Sequence, residues 1–373
     1  MSPLLLTPGP LSTHVQTRRA MTEDRGSRDP DFLAMDTRTW AGIASLVQAE
    51  DPDGDWVCVP LQGSGSFAVE AMLGSLVSPT APLLVAENGA YGSRMSTMRQ
   101  RMGRPLLRVD SGDEAPLDLG AIERALQAHP EIEAVAVVHC ETTTGRLNPL
   151  EELAALVQRQ GRRLLVDAMS AFGALPLGPA IGAIDAIAAS ANKCLEGVPG
   201  VAFVLARRAL LERSAGRSPS ISLDLHEQWR RRELDGQWRF TPPTHVIAAL
   251  DAALTLHRAE GGVAGRGLRY TQNARVLLEG MRSLGFQLLL PEADQAPIIL
   301  TFHQPADPAW DFERVYQGLV ERGFAIYPGK LTRRPSFRVG CIGQVQPADL
   351  QRFVSSLDEL MGQLGIASGS PQP

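Results

Sequence analysis

Ala186-Ile187-Ala188-Ala189-Ser190-Ala191-Asn192-Lys193-Cys194-Leu195-Glu196-Gly197-Val198-Pro199-Gly200 is the stretch from which this chain is best read. A short apolar run gives way to small and polar residues, a lysine stands at its exit, and glycine and proline close the segment, as for a buried strand running into a loop. Another apolar run, 201–205, follows at once, and upstream the run 164–166 ends on Asp167. Runs of the same kind lie at 83–86, 106–109 and 134–138, with helical stretches such as 119–127 and 150–160 between several of them. This alternation predicts an α/β fold, a mostly parallel sheet with helices on both faces.

Beyond the interruption Thr241-Pro242-Pro243-Thr244 a long helix is expected through 251–259, and from about Gly261 the texture changes. A long amphipathic stretch at 267–284, short strands near 286–290 and 298–302, a helix at 312–322 and strands at 324–327 and 337–339 predict a smaller C-terminal α+β unit. The expected division is a segment 1–15 packing near the active site, a large domain 16–260, a small domain 261–365 and a disordered tail 366–373. A length of 373 residues suits two such cores, and 44% hydrophobic residues can fill them.

The formal charge of −5 and a pI near 5.9 carry no global basic signal for nucleic acid. The four cysteines, Cys58, Cys140, Cys194 and Cys341, show no C-x-x-C spacing, and His14, His129 and His303 have no metal-ligand spacing. A metal site is therefore not expected. The first residues lack the basic region of a signal peptide and no run reaches about eighteen apolar residues, so a soluble, cytoplasmic protein without membrane contact is expected.

Chemistry enters with the lysine and the aspartate. An amine that can form a Schiff base and a carboxylate that can keep a ring nitrogen protonated are what pyridoxal 5'-phosphate requires of its protein. By itself the pair fits a solvated loop lysine and a strand-end cap equally well. Gln62-Gly63-Ser64-Gly65-Ser66-Phe67-Ala68 adds weight: it follows the run Val57-Cys58-Val59 and opens a helical pattern, so small residues and free N–H groups stand at a helix N-terminus, where anions bind. Ligands of open α/β sheets sit beyond the C-terminal strand ends. Gly65 and Ser66, Tyr91, Thr142, Asp167 and Lys193 each stand just past the end of a predicted strand.

An ordered set of segments resembles the class V aminotransferases, pyridoxal-phosphate-dependent transferases of fold type I. The set comprises Leu4-Leu5-Leu6-Thr7-Pro8-Gly9-Pro10, Gln62-Gly63-Ser64-Gly65-Ser66, Glu87-Asn88-Gly89-Ala90-Tyr91-Gly92 and His139-Cys140-Glu141-Thr142-Thr143-Thr144-Gly145. It continues with Val166-Asp167-Ala168-Met169-Ser170, Ser190-Ala191-Asn192-Lys193 and Phe324-Ala325-Ile326-Tyr327-Pro328-Gly329-Lys330. The resemblance implies Lys193 and Asp167 as catalytic residues. It also implies a cofactor site of Gly65, Ser66, the Phe67 N–H, Tyr91, Thr142, Asp167, Asn192 and Lys193. Tyr91 would stack on the ring, with a core tyrosine as the alternative, and Thr142 would bind the phenolic oxygen, with a turn cap as the alternative. Thr241 would reach the phosphate of a second subunit in a homodimer with shared sites, or else is a plain pre-proline turn residue. Arg338 would receive the substrate carboxylate, or else pair with an acid of the protein itself. Lys330 is the weaker candidate for a second anionic group.

Within the family the resemblance is strongest to the branch that moves an amino group from 2-aminoethylphosphonate to pyruvate, which implies small amine and oxo-acid substrates. The stretch Asp24-Arg25-Gly26-Ser27-Arg28-Asp29-Pro30-Asp31-Phe32 is nearer to alanine– or serine–glyoxylate aminotransferases, so a glyoxylate enzyme is the second expectation. A cysteine desulfurase would need a nucleophilic cysteine before the late arginine, and Cys341 follows it. A non-catalytic cofactor-binding regulator would have lost Lys193 or gained a DNA-binding module. The clusters Arg230-Arg231-Arg232 and Arg333-Arg334 read as solvated charge.

Overall fold

The computed structural model describes residues 2–329 and 333–371. Aliphatic runs without polar alternation form strands buried on both faces: every residue of Ala134–Val138 and of Ala186–Ser190 is buried. Seven strands, β1 (Trp56–Gln62), β2 (Leu83–Glu87), β3 (Leu106–Asp110), β4 (Ala134–Val138), β5 (Arg163–Asp167), β6 (Ala186–Ser190) and β7 (Val201–Arg207), make one sheet in the order β1-β7-β6-β5-β4-β2-β3. Only β7 runs against its neighbours. The remaining pairs are parallel, with Val138 beside Asp167 and Asp167 beside Ala188, so the strand ends that carry candidate residues share one edge.

Strand alternation divides the core in two. Val135, Val137, Leu164, Val166, Ile187 and Phe203 face one layer with Trp40 and Ile43. Ala136, Leu165, Ala188 and Val204 face the other with Met72 and Leu73. The helices of these layers include α1 (Pro30–Gln48), α2 (Gly65–Leu76), α3 (Ala90–Arg101), α4 (Leu119–Ala128), α5 (Leu150–Arg159) and α6 (Thr244–Ala259). Pro30 occupies the first turn of α1, where its missing N–H has no role to lose.

A second core gathers α7 (Gly262–Ser283), β8 (Ile299–His303), α8 (Phe312–Glu321), β9 (Tyr327–Pro328), β10 (Ser336–Gly340) and α9 (Pro347–Leu364) around Phe286, Phe302, Phe337 and Phe353. Its sheet is antiparallel, in the order β8-β10-β9. Leu4–Leu5 pairs with Phe324–Ala325, which ties the N-terminal segment to this smaller unit.

Three expectations change. Residues 286–290 form no strand, because Phe286 turns into the aromatic core and leaves only the bridge between Leu288 and Phe302. The start of the expected tail is packed: Gly365, at φ 73°, reverses the chain after α9, Ile366 is buried, and the Gly369 N–H donates to the Leu284 carbonyl at 2.8 Å. Arg232 is not solvated charge, since its Nη1 donates to the buried Asp36 at 2.6 Å. No helix among the described residues is long and apolar enough to cross a membrane, and no group of acidic, histidine or cysteine side chains there could hold a metal ion.

Candidate active site

The strand ends open into a cleft lined by Gly65, Ser66, Tyr91, Thr142, Asp167 and Lys193, together with Arg94, Cys140, Met169 and several apolar side chains. Each polar group arrives on its own connection. Ser64 caps α2 with extended backbone, so the N–H groups of Gly65 and Ser66 fall in the first turn, where a helix offers no acceptor. Tyr91 lies in the first turn of α3 after β2, Thr142 follows β4, Asp167 ends β5 and Lys193 follows β6.

Burial sets the electrostatics. The Asp167 carboxyl is pushed up to about 6 by desolvation, opposed by the Met169 N–H that donates to its Oδ1 at 3.0 Å. Arg94 and Lys193 pull the other way only weakly, and no ion pair to Asp167 is formed among the described residues. Lys193 is shifted the other way: burial lowers its pKa, with Arg338 acting in the same sense and Asp167 against it. Its Nζ donates to the Pro8 carbonyl at 2.6 Å, so the N-terminal segment lies over the amine. His139 has a buried Nδ1 without a partner and is depressed to about 4 by burial, which keeps the ring neutral.

Arg338 stands on β10 of the smaller unit and crosses to the large one. Its Nη1 donates to the Thr142 carbonyl at 2.9 Å and its Nε to the Pro328 carbonyl at 3.0 Å. The alternative, an ion pair with an acid of this chain, is not realised among the described residues, and burial lowers the pKa of this guanidinium. A buried cation held only by neutral carbonyls is suited to an incoming anion.

Two site residues escaped the sequence reading. Arg94 lines the cleft with its Nη1 donating to Ser66 Oγ at 3.1 Å and its guanidinium 4.8 Å from the Tyr91 ring centroid. Its position three residues after Tyr91, on the same helical face, was the available signal. Glu141 is buried and accepts from the N–H groups of Tyr91, Gly92 and Thr143, fixing the start of α3 against the Thr142 turn. Nothing local in the sequence reveals that, because α3 lies fifty residues earlier.

Several expected contributors lie elsewhere. The Phe67 N–H donates to the Ser64 carbonyl at 2.9 Å, closing the first turn, so Phe67 is not a free anion donor. Asn192 turns back, accepting from Ser190 Oγ at 3.0 Å, and does not line the cleft. Thr241 is exposed and borders a different depression with Gly63, Phe67 and Phe240. Lys330 lies outside the described residues.

The residues fit pyridoxal phosphate. A buried carboxylate without a cation matches a protonated ring nitrogen, an unpaired helix N-terminus matches a phosphate, and an amine of lowered pKa stands in the same cleft.

Comparisons with known proteins agree. The model of the family "Aminotransferase class-V" matches residues 41–345. A 2-aminoethylphosphonate–pyruvate transaminase of Rhizobium meliloti (strain 1021) is 50% identical over 369 residues, covering 99% of this chain and 96% of the relative. One from Pseudomonas aeruginosa is 48% identical over 365 residues, with 98% of each chain covered. Among solved structures, pyridoxamine–pyruvate aminotransferase from Mesorhizobium loti superposes with a TM-score of 0.88 at 25% identity over 99% of this chain and 95% of that one. Alanine–glyoxylate aminotransferase from Nostoc sp. gives 0.87 at 25% identity over 97% and 96%. With the family matched across most of its length and half its residues shared with full-length relatives, the chain belongs to the class V aminotransferases.

Proposed function

We propose that this protein transfers the amino group of 2-aminoethylphosphonate to pyruvate, giving phosphonoacetaldehyde and L-alanine, with pyridoxal phosphate as cofactor. The observation that carries the reading is that Lys193 and Asp167 meet in one cleft with Thr142, whose carbonyl accepts from Arg338. The choice of donor is supported by the near full-length similarity to 2-aminoethylphosphonate–pyruvate transaminases.

When bound, the cofactor supplies an electrophilic carbon for amine exchange and a ring that accepts electrons. Lys193 Nζ, with its pKa lowered by burial, is the nucleophile that tethers the cofactor. The same Nζ, of lowered pKa, would also be the group that takes up and returns the substrate's proton. Asp167 would hold the ring nitrogen protonated, and its buried carboxylate would gain a cationic partner by doing so. Tyr91 would cover the ring face and Thr142 would donate to its phenolic oxygen. Gly65 and Ser66 hold the phosphate at the start of α2, with Arg94 beside Ser66 adding positive charge. Arg338 binds the carboxylate of pyruvate as a bidentate fork.

The phosphate site is completed in a homodimer. Thr241 lies outside the cleft of its own chain and on a face where Phe67 and Phe240 are 48% and 49% exposed. That arrangement suits a residue that serves a neighbouring subunit. The four cysteines are unpaired, in keeping with a cytoplasmic location.

A panel of amino donors tested against pyruvate and glyoxylate decides the function. Alanine formed from 2-aminoethylphosphonate and pyruvate is expected. Brisk transfer from alanine or serine to glyoxylate, with no reaction of the phosphonate, would assign the protein to the glyoxylate branch instead.

A further inference from the structure

Three residues beyond Lys193, the chain adopts a conformation that only glycine takes readily. Glu196, at φ 57°, is the one non-glycine residue at positive φ among the described residues. Such a conformation persists when the surroundings hold it, and here they do so through the side chain. The carboxylate is buried and accepts from Tyr270 Oη at 2.6 Å, from Arg269 Nη2 at 2.7 Å and from Gln344 Nε2. Arg266 Nη1 completes the cluster at 3.4 Å.

These partners have second attachments. Arg266 donates to the Cys194 carbonyl, next to Lys193. Arg269 donates to the carbonyls of Gly343 and Val345, and the Gly343 N–H donates to Tyr270 Oη at 3.2 Å. Glu260 accepts from the Nε of both arginines, at 2.7 Å and 2.6 Å, so two carboxylates balance two guanidinium groups. The face of α7 therefore grips two turns at once. One carries Lys193; the other follows β10, which carries Arg338.

We propose that Glu196 is a positioning residue that fixes the lysine turn relative to Arg338 and so favours acceptors whose carboxylate is attached directly to the reacting carbon. The proposal rests on the aminotransferase reading above. Lys193 follows a strand of the large sheet, Arg338 stands on a strand of the smaller one, and one small substrate must meet both. In an oxo acid no flexible carbon separates the anion from the reacting atom, so an error in spacing is felt in full. An aldehyde without a carboxylate is not held by Arg338 and can follow the lysine wherever it sits. The buried charges make the device specific rather than stabilising, since a satisfied ionic network contributes little net stability but admits few arrangements.

The test compares amino-loaded holoenzyme in single turnovers with pyruvate and with propionaldehyde, for the wild type, Glu196→Gln and Gln344→Ala. Cofactor content per chain is measured alongside. Glu196→Gln is expected to lower the pyruvate rate relative to the propionaldehyde rate by roughly tenfold or more, with cofactor content unchanged. Gln344→Ala, which removes one peripheral donor, is expected to shift the ratio in the same direction by less, and it carries the test if the glutamine variant does not fold. Equal losses with both acceptors, or no loss with either, overturn the proposal. Failure of the wild type to aminate pyruvate at all would instead refute the underlying functional reading.

Discussion

Asp167 is held where burial opposes its charge, and its consequences for stability can be separated from those for catalysis. Its folded pKa, about 6, lies above the ordinary 3.8, so the folded apoprotein binds more protons than the unfolded chain between those values. The group therefore costs stability progressively as pH rises from about 4 to 6, by roughly 2–4 kcal/mol above that window. Asp167→Asn should be more stable than the wild-type apoprotein at pH 7.5 and nearly equal to it at pH 4, as read by urea denaturation, while turnover of the holoenzyme falls. His139 has the opposite sign. Its pKa, lowered to about 4, contributes stability above about 6.5 that is lost as pH falls toward 4. Both proteins share that contribution, so it cancels in their difference. For Arg338→Lys, loss of the bidentate fork should slow the pyruvate half-reaction by roughly tenfold or more, and the donor half-reaction less, when each is followed in single turnovers. Lys193 and Asp167 were legible in the sequence because a strand end places its last residues without help from distant chain. Arg94 and Glu141 act through the packing of α3 against other connections, while in this structure local hydrogen bonds occupy the Asn192 side chain and the Phe67 N–H.

At the scale of elements, the start of α2 and the N-terminal segment both press on the cleft. A Cβ at Gly65 would meet Met169 Sδ at 2.2 Å, and a Cβ at Gly9, where φ is 121°, would meet Lys193 Nζ at 2.4 Å. Gly65→Ala should therefore push Met169 into the cleft and weaken retention of pyridoxal phosphate in equilibrium dialysis while leaving the circular dichroism spectrum intact. Unchanged retention would mean that Met169 has room to move aside. The strands and most helices could be read from the sequence because hydrophobic periodicity is a local property. The packed stretch after α9 could not, because Ala367-Ser368-Gly369-Ser370 looks like a tail until Leu284 and Asp307 supply partners for Gly369 and Ala367. Residues 286–290 failed for the same reason in reverse: an apolar run suited to a strand was taken up as aromatic core.

The whole molecule is proposed to work as a two-fold dimer, since Thr241 and the half-exposed Phe67 and Phe240 lie on a face outside the cleft of their own chain. Phe240→Asp should shift sedimentation at assay concentration toward the monomer and lower cofactor affinity together. A fully active monomer would refute the shared site. The central claim is that Lys193 carries the cofactor and that 2-aminoethylphosphonate displaces it. Borohydride treatment of the holoprotein, with and without prior addition of 2-aminoethylphosphonate, followed by peptide mass mapping, tests both parts in one measurement. The account predicts a cofactor adduct on Lys193 that disappears when the phosphonate amine is added first. An adduct on another lysine, or one on Lys193 that the amine leaves untouched, would contradict it.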